Sequence, residues 1–261
     1  KTHYYISPQI WAWKESRMTE IKRDIDKMYV ILPFEKKFYE DKHHFPVEFV
    51  GHPLIDAIYN QPIVDPVLFR KENQLNDKPI IAILPGSRKQ EITKMLAVML
   101  SVVNDFPDHQ FVIAGAPSQE FSFYQKFITQ ENIKFISNKT YDLLRNATAA
   151  LVTSGTATLE TALFKVPEVV CYKGSWASYQ IAKRIITLKY ISLVNLIMDE
   201  EVVTELIQEE CNTKRIREEL QKTLKTNDRN TLLEKYALLE EKLGGIGASE
   251  KTATLIVNDL K

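Results

Sequence analysis

Short apolar runs alternate with amphipathic stretches through the middle of the chain. The apolar runs, each predicted as a strand, lie at residues 80–84, 110–114, 133–136, 149–153 and 168–172. The stretches between them, predicted as helices, lie near residues 89–104, 119–130, 140–146 and 156–165. Strands separated by helices indicate parallel pairing through right-handed crossovers. The pattern therefore predicts a doubly wound parallel α/β sheet of the Rossmann type over residues 79–200.

The first 60 residues carry a different pattern. An alternating, aromatic opening run predicts a first strand, and apolar runs at 29–32 and 47–50 predict two more. Between them, one apolar stripe predicts a helix over residues 13–27. The members of this stripe are Met18, Ile21, Ile25 and Met28.

Domain boundaries are suggested by breaks in these patterns. The proline-rich stretch at 61–66 has no period and is typical of a boundary. We therefore expect residues 1–60 to belong to one sheet domain and residues 61–78 to form a linker. Residues 201–261 are polar and amphipathic, which predicts a helical C-terminal segment that packs back on the sheet domains.

Composition and charge narrow the classes of function. Hydrophobic residues make up 44% of the chain and charged residues 26%, which argues against disorder. Lys plus Arg and Asp plus Glu each number 34, so the chain carries no net charge and a dedicated nucleic-acid binder is disfavoured. Binding to phosphate or to a membrane surface must therefore depend on local groups.

Cysteine usage and hydropathy bear on location and on metals. Cys171 and Cys211 are too few for a disulfide framework or a thiolate-rich zinc site, which favours a reducing compartment. Because the chain has neither a long apolar run nor a signal-peptide pattern, we expect a cytoplasmic protein. His43 and His44 lack spaced carboxylate or cysteine partners, so no metal site is expected.

The first candidate loop follows the strand predicted at 80–84. Ligands of open parallel sheets bind outside the carboxyl ends of the strands. Here Gly86 permits close backbone approach, Ser87 stands before the next helix, and Arg88 supplies a forked cation. Together they would hold a diphosphate, although an ordinary β-to-α turn with a surface arginine explains the same residues.

The second candidate loop follows the strand predicted at 149–153. Ser154, Gly155 and Thr156 lie at the mouth of the next helix, where they would contact phosphate, or where Ser154 or Thr156 would simply cap the helix. Glu160 stands four residues after Thr156, one more than a capping box requires, and could accept hydrogen bonds from a ribose diol. The absence of Gly-x-Gly-x-x-Gly and of a P-loop motif disfavours dinucleotide oxidoreductases and P-loop NTPases.

Six strings in this order resemble the lipid-A-disaccharide synthase family, over residues 3 to about 211. They are ISPQIWAW from residue 6, LPFEKKFY from residue 32, FVGHP from residue 49, LPGSR from residue 84, SGTATLE from residue 154 and ISLVNL from residue 191. The tryptophan-rich and Phe-Glu-Lys strings are not general features of nucleotide-binding domains. The resemblance implies a GT-B fold of two sheet domains.

The resemblance also implies an activity. It implies an inverting, metal-independent glycosyltransferase without a cofactor, which moves 2,3-diacylglucosamine from UDP to 2,3-diacylglucosamine 1-phosphate in lipid A biosynthesis. The products are the β-1,6 disaccharide 1-phosphate and UDP. Such an enzyme is expected at the cytoplasmic face of the inner membrane of a Gram-negative bacterium, as a peripheral protein and a possible homodimer.

Site residues follow from the same resemblance. Ser87 and Arg88 would face the diphosphate, beside Gly86 as a further donor-binding residue. Ser154, Gly155 and Thr156 would lie against the phosphates, and Glu160 would hold the ribose. The remaining matches near the donor site are Asn195, Gln208 and Glu209.

The N-terminal side of the chain departs from the family pattern. In the family, most of an acceptor domain with the proposed catalytic aspartate precedes the tryptophan-rich string, so residues 1–60 would be the C-terminal part of that domain. We therefore expect the general base to lie upstream of Lys1, with His52 as the one alternative inside a motif. His52 could equally order an interdomain turn. Two other functions remain open, a UDP-sugar 2-epimerase of the same architecture and a catalytically incomplete UDP-binding module.

Overall fold

The protein, seen in a computed structural model, is described over residues 1–174 and 189–261. Within these ranges the chain divides into two compact units, with a first division after Gln61. The first unit comprises residues 1–61, 189 and 237–261, and the second comprises residues 62–174 and 190–236. The first unit therefore contains both ends of this chain.

Strands and helices alternate along most of the chain. The strands are β1 His3–Tyr5, β2 Lys27–Val30, β3 Glu48–Phe49, β4 Ile80–Leu84, β5 Gln110–Gly115, β6 Ile133–Ser137, β7 Ala147–Thr153, β8 Glu168–Tyr172 and β9 Thr204–Ile207. The helices up to β5 are α1 Ile10–Trp13, α2 Met18–Asp24, α3 Pro33–Lys37, α4 Pro53–Tyr59, α5 Pro66–Glu72 and α6 Lys89–Leu100. The later helices within the described ranges are α7 Phe121–Gln125, α8 Thr140–Asn146, α9 Thr156–Leu163, α10 Leu193–Met198, α11 Thr213–Thr223, α12 Thr226–Lys242 and α13 Ala248–Leu260.

The first unit contains a parallel sheet whose described strands run in the order β1, β2, β3. The strands predicted at 29–32 and 47–50 are present with shifted ends. The helix predicted over 13–27 is wrong in extent, because the backbone of Lys14 leaves the helical region and Ile25 is extended. Met28 lies in β2, where three consecutive buried residues follow Lys27, so its helix-like spacing of three from Ile25 is a coincidence.

One buried carboxylate connects two of the sequence strings in this unit. Glu35 is 1% exposed and accepts hydrogen bonds from Ser7 Oγ at 2.7 Å and from Trp11 Nε1 at 3.1 Å. It also accepts from the amides of Ile31 at 3.2 Å and Leu32 at 2.9 Å. Burial raises the pKa of Glu35, while these four donors oppose the rise. The tryptophan-rich and Phe-Glu-Lys strings thus meet in one polar network.

The last helix completes the first unit. Asp56 in α4 accepts hydrogen bonds from the amides of Gly247 at 2.6 Å and Ser249 at 2.9 Å, at the start of α13. Gly51 and Gly244 both have positive φ and approach closely, since a Cβ on Gly244 would lie 3.1 Å from Gly51 Cα. The turn before α4 and the turn before α13 therefore pack directly on each other.

The second unit is the predicted doubly wound sheet. Its described strands are all parallel, in the order β6, β5, β4, β7, β8, β9. Every residue of β4 and of β5 is buried, as expected for strands covered by helices on both faces. The α/β prediction is confirmed, and β4, β8 and α8 have the predicted bounds.

Three predicted segments of the second unit differ from the structure. The range predicted as helical from residue 201 contains the edge strand β9. This strand has only four residues, two of them polar, which is too little for a strand pattern in the sequence. The range predicted as a linker contains α5, which Asp65 caps through the amides of Val67 and Leu68 and which Phe69 anchors in the core. The helix predicted over 119–130 is confined to Phe121–Gln125.

Candidate functional site

A cavity of about 260 Å³ lies at the carboxyl ends of β4, β5 and β7. From β4 the chain winds outward through β5 and β6, and from β7 it winds the other way through β8 and β9, so the sheet reverses between β4 and β7. Ligands of doubly wound sheets bind at this reversal. The lining comes from residues 84–87, 114–117 and 153–157, with Glu91, Thr140 and Glu160.

The loop after β4 contributes its backbone to the cavity. Gly86 has a φ of 98°, a conformation that side chains other than glycine rarely adopt. The Ser87 amide donates to Glu91 Oε2 at 3.2 Å, and the Ser87 carbonyl accepts from Ser118 Oγ at 3.0 Å. Arg88 is exposed at the start of α6 and is not among the described residues that line the cavity.

The loop after β7 opens onto the N-terminus of α9. The described structure shows no side-chain cap on this helix, which removes the simple capping explanation for Ser154 and Thr156. Ser154 Oγ instead donates to the Ile191 carbonyl at 2.9 Å. Gly155 has positive φ, and a Cβ added there would meet no atom within 4 Å. The start of α9 therefore faces open space within the cavity lining.

Glu160 lies one turn into α9, half-buried in the cavity wall. Its carboxylate accepts a hydrogen bond from the Tyr141 hydroxyl at 3.3 Å. Burial raises the pKa of Glu160, and the bond from Tyr141 opposes that rise. Burial, together with the nearby carboxylate, raises the pKa of Tyr141 to about 12. Tyr141 is thus a neutral donor that holds one carboxylate oxygen and leaves the other for a ligand.

The charge of the cavity is unusual for a phosphate site. Two carboxylates, Glu91 and Glu160, belong to its lining, and no lysine or arginine does within the described ranges. A diphosphate here must be held by backbone amides, by hydroxyl groups and by a cation from the rim. Arg88, an exposed residue that directly follows the first loop, is the basic residue next to Ser87 in the chain.

Asn195 has a different place from the one expected. Its side chain is fully buried, donates to the Val203 carbonyl and Glu205, and accepts from the amides of Val202 and Val203. The amide group is thereby saturated. Asn195 is outside the described cavity lining, so the structure does not bring its side chain into the cavity.

Glu205 extends this network towards the second loop. Its carboxylate also accepts from the amide of Ile191 at 2.9 Å and from the Ser192 hydroxyl at 2.7 Å. The carbonyl of the same Ile191 accepts from Ser154. The ISLVNL string therefore orders the backbone that holds a residue of the cavity wall.

Gln208 and Glu209 follow β9 at the carboxyl edge of the sheet. Gln208 has positive φ, and its amide donates to the Tyr172 carbonyl at 2.8 Å. Its Nε2 is buried and has no hydrogen-bond partner among the described residues. Glu209 is exposed, and neither residue belongs to the described cavity lining.

His52 is a structural residue of the first unit. Its Nδ1 accepts a hydrogen bond from the Leu54 amide at 3.2 Å at the start of α4, and its own amide donates to Leu243. Burial lowers the pKa of His52 to about 4. An imidazole this weakly basic, with Nδ1 already engaged, does not suit a general base near neutral pH.

Three parts of the site go beyond the residues predicted from the sequence. Glu91 has a readable signal in its spacing of four residues from Ser87, on the first turn of a predicted helix. The loop from Gly115 to Pro117 is readable as a strand followed by small residues. Tyr141 carries no signal, because its contact with Glu160 depends on the packing of α8 beside α9.

Comparison with known proteins points to one family. A family model described as lipid-A-disaccharide synthetase matches residues 1–255. The lipid-A-disaccharide synthase of Idiomarina loihiensis is 37% identical over 269 residues, covering 98% of this chain and 68% of that relative.

Solved structures show the same fold at low identity. WaaG, a glycosyltransferase of lipopolysaccharide biosynthesis, superposes with a TM-score of 0.56 at 13% identity and covers 97% of this chain and 74% of that one. The S. aureus MnaA–UDP structure superposes with a TM-score of 0.64 at 15% identity, covering 90% and 61%. The GT-B-like architecture expected from the sequence is confirmed.

Proposed function

The chain belongs to the lipid-A-disaccharide synthetase family and is a glycosyltransferase, and on this premise we propose that its second unit binds the UDP-sugar donor. The observation that carries the proposal is the cavity at the reversal of the sheet, where two glycine-containing loops and Glu160 meet. A nucleoside diphosphate fits this arrangement because it offers an anion for the loops and a diol for the carboxylate.

We propose the following roles for the cavity residues. The backbone around Gly86 and Gly155 approaches the phosphates, since neither residue carries a Cβ. Ser154 and Thr156 offer hydroxyl groups, and Arg88 turns inward from the rim to neutralise the leaving diphosphate. Glu160, oriented by Tyr141, accepts from the ribose hydroxyls.

The reaction proposed is the inverting transfer that the family name and the resemblance imply. The acceptor hydroxyl oxygen bonds to the anomeric carbon of the diacylglucosamine, and the bond from that carbon to the phosphate oxygen breaks. UDP leaves with that bonding electron pair, and the hydroxyl proton passes to a base. The described residues of this chain bind the donor and stabilise the departing charge, and we assign none of them as the base. For Asn195 and Glu205 we propose a positioning role behind Ser154.

Contact with a membrane surface is a further part of the proposal. The diacylated substrates that the resemblance implies are amphiphiles, and apolar side chains around the start of α5 are exposed, Ile63 by 84% and Val67 by 74%. No helix within the described residues is both long and apolar enough to cross a bilayer. Sedimentation with anionic vesicles would test the contact, and sedimentation velocity without vesicles would test the homodimer that we propose on the resemblance alone.

Calorimetric titration with UDP tests the donor site. We expect measurable binding and a loss of about tenfold or more in Arg88→Ala, since a charge-assisted contact to phosphate is removed. Arg217→Ala is the matched control, because Arg217 pairs with Asp105 near the opposite edge of the sheet. Absence of UDP binding at millimolar concentration, or equal affinity in Arg88→Ala, would contradict the proposal.

Product analysis separates the remaining functions. Formation of the disaccharide and UDP from both diacylglucosamine substrates would support the transferase function. Conversion of UDP-N-acetylglucosamine to its manno epimer would support the epimerase alternative, which the family match does not favour. UDP binding without either product would support the binding-module alternative.

A further inference from the structure

One contact in the donor pocket runs against phosphate binding. The Ser87 amide, which belongs to the loop proposed to meet the diphosphate, donates to Glu91 Oε2 at 3.2 Å. The same oxygen fills the space beside Gly86, because a Cβ on Gly86 would lie 2.1 Å from it. A carboxylate of the protein thus occupies the anion-binding side of this loop.

The contact is not an ordinary helix cap. Arg88 is the N-cap residue of α6 and Glu91 is its third helical residue. A capping-box glutamate in this position would accept from the amide of Arg88. The Glu91 carboxylate reaches one residue further back, to Ser87, and this brings its charge into the cavity lining.

The Glu91 carboxylate and a diphosphate are both anions, so a diphosphate bound at this loop would compete with Glu91 for the Ser87 amide. A UDP diphosphate carries about two to three negative charges near neutral pH, close to the second phosphate pKa of about 6. The described lining of the cavity contains the carboxylates of Glu91 and Glu160, and it contains no lysine or arginine. A phosphate that takes the Ser87 amide must displace the Glu91 carboxylate or stand beside it, and either outcome costs free energy.

We propose that Glu91 competes with the diphosphate for the Ser87 amide and so limits the affinity of the pocket for UDP. The inference rests on the proposed donor site and extends it to product release. Glu91 lies in the first turn of α6, so its carboxylate stays within reach of the Ser87 amide when the diphosphate displaces it. As the diphosphate departs, the carboxylate takes back the amide, which favours release over rebinding.

Glu91→Gln is the decisive variant because it removes the charge and keeps an oxygen that can accept from Ser87. A residue with a purely structural role would leave UDP affinity unchanged or weaken it. Glu131→Gln is the matched control, since Glu131 is exposed in the turn before β6, at the amino edge of the sheet. Thermal unfolding of each variant establishes that it is folded.

The experiment compares binding of UDP and of uridine by titration calorimetry at low and high salt. We expect Glu91→Gln to bind UDP about five- to tenfold more tightly at low salt, with a smaller gain at high salt. Uridine affinity should change by less than about twofold, because uridine lacks the diphosphate. Stopped-flow displacement should show a correspondingly slower release of UDP.

The possible outcomes separate this inference from the proposed function. Equal or weaker UDP binding in Glu91→Gln, with normal binding in the unaltered protein, overturns the competition and leaves the donor site standing. A gain that uridine shares equally also overturns it, because the effect is then not one of phosphate charge. Absence of UDP binding in the unaltered protein overturns the donor site and the competition together.

Discussion

At the scale of single residues, the contact that we propose between Glu160 and the ribose should depend on pH, because Glu160 is half-buried beside Tyr141. Burial holds the Glu160 pKa above its usual 4.5, and the Tyr141 hydroxyl moderates that rise. A carboxylate accepts hydrogen bonds from both ribose hydroxyls better than its protonated form does. The preference for UDP over 2′-deoxy-UDP should therefore increase as the pH rises through the Glu160 pKa.

Tyr141→Phe tests this link, because it removes the hydroxyl and keeps the ring against Phe164. Loss of a donor that favours the charged form moves the Glu160 pKa upward, so the transition in preference should shift to higher pH. Within this transition we expect the preference to fall about threefold in Tyr141→Phe, measured by calorimetry with both nucleotides over a series of pH values. An unchanged ratio at every pH would contradict the ribose role of Glu160. Both nucleotides carry the same diphosphate, so the titration of that group cancels in the ratio of their affinities.

At the scale of elements, β8 begins with a buried acid. Glu168 is 2% exposed, and neither carboxylate oxygen has a hydrogen-bond partner among the described residues. Burial raises its pKa well above 4.5. Between the unfolded and folded pKa the native state binds more protons, so this group stabilises the fold at low pH and loses that contribution as the pH rises.

Glu168→Gln should remove this dependence. The free energy of urea unfolding of the second unit should be measured between pH 5 and pH 8. Its decrease with rising pH should become shallower in Glu168→Gln, by up to about 1.4 kcal/mol per pH unit. The slope is the readout, since the amide changes the absolute stability in other ways. Glu131→Gln, an exposed change of the same kind, should leave it intact, and a slope that survives in Glu168→Gln would contradict the assignment.

The elements also show how far the sequence could be read. The bounds of β4 were predictable because a strand buried on both faces shows an unbroken apolar run, and β8 shows such a run after its first residue, Glu168. The edge strand β9 was not, since only Leu206 of its four residues is buried. The helix predicted over 13–27 failed because Met28 belongs to a strand but matches a helical spacing by coincidence.

The residues of the candidate site also fall into those whose place could be predicted from the sequence and those whose place could not. Gly86, Ser154 and Glu160 were predictable because strand ends and helix starts fix their places. Asn195 was predicted near the donor, yet its side chain serves an internal network whose partners come from β9 and the turn before it. Motif membership identifies such a residue, but only the fold distinguishes a ligand contact from a support.

At the scale of the whole molecule, His52 in the first unit and Glu160 and Glu168 in the second unit respond to acid in opposite directions. In the first unit, the His52 pKa is lowered to about 4, so its contribution to stability is complete above pH 6.5 and is lost as the pH falls. The lowered Asp56 pKa acts in the same sense at lower pH. In the second unit, the raised pKa values of Glu160 and Glu168 give stability that increases on acidification.

Calorimetry at pH 7 and pH 5 should show this difference. We expect the first unit to lose about 2 kcal/mol through His52 alone, so that its unfolding moves to lower temperature while that of the second unit does not. His52→Asn keeps a capping acceptor without the titration and should abolish most of the shift. A shift that persists in His52→Asn, or an earlier loss of the second unit, would contradict this account.

The bonds between Asp56 and the start of α13 have a consequence for the order of events during synthesis. The carboxylate and the amide of Gly247 are 191 residues apart in the chain. At a translation rate of about 5 to 20 residues per second, Gly247 is synthesised about 10 to 40 seconds after Asp56. The described strands of the second unit are all synthesised within this interval. Residues 1–61 therefore leave the ribosome long before the contact between Asp56 and the start of α13 can form, and until then a chaperone or a protease can bind them.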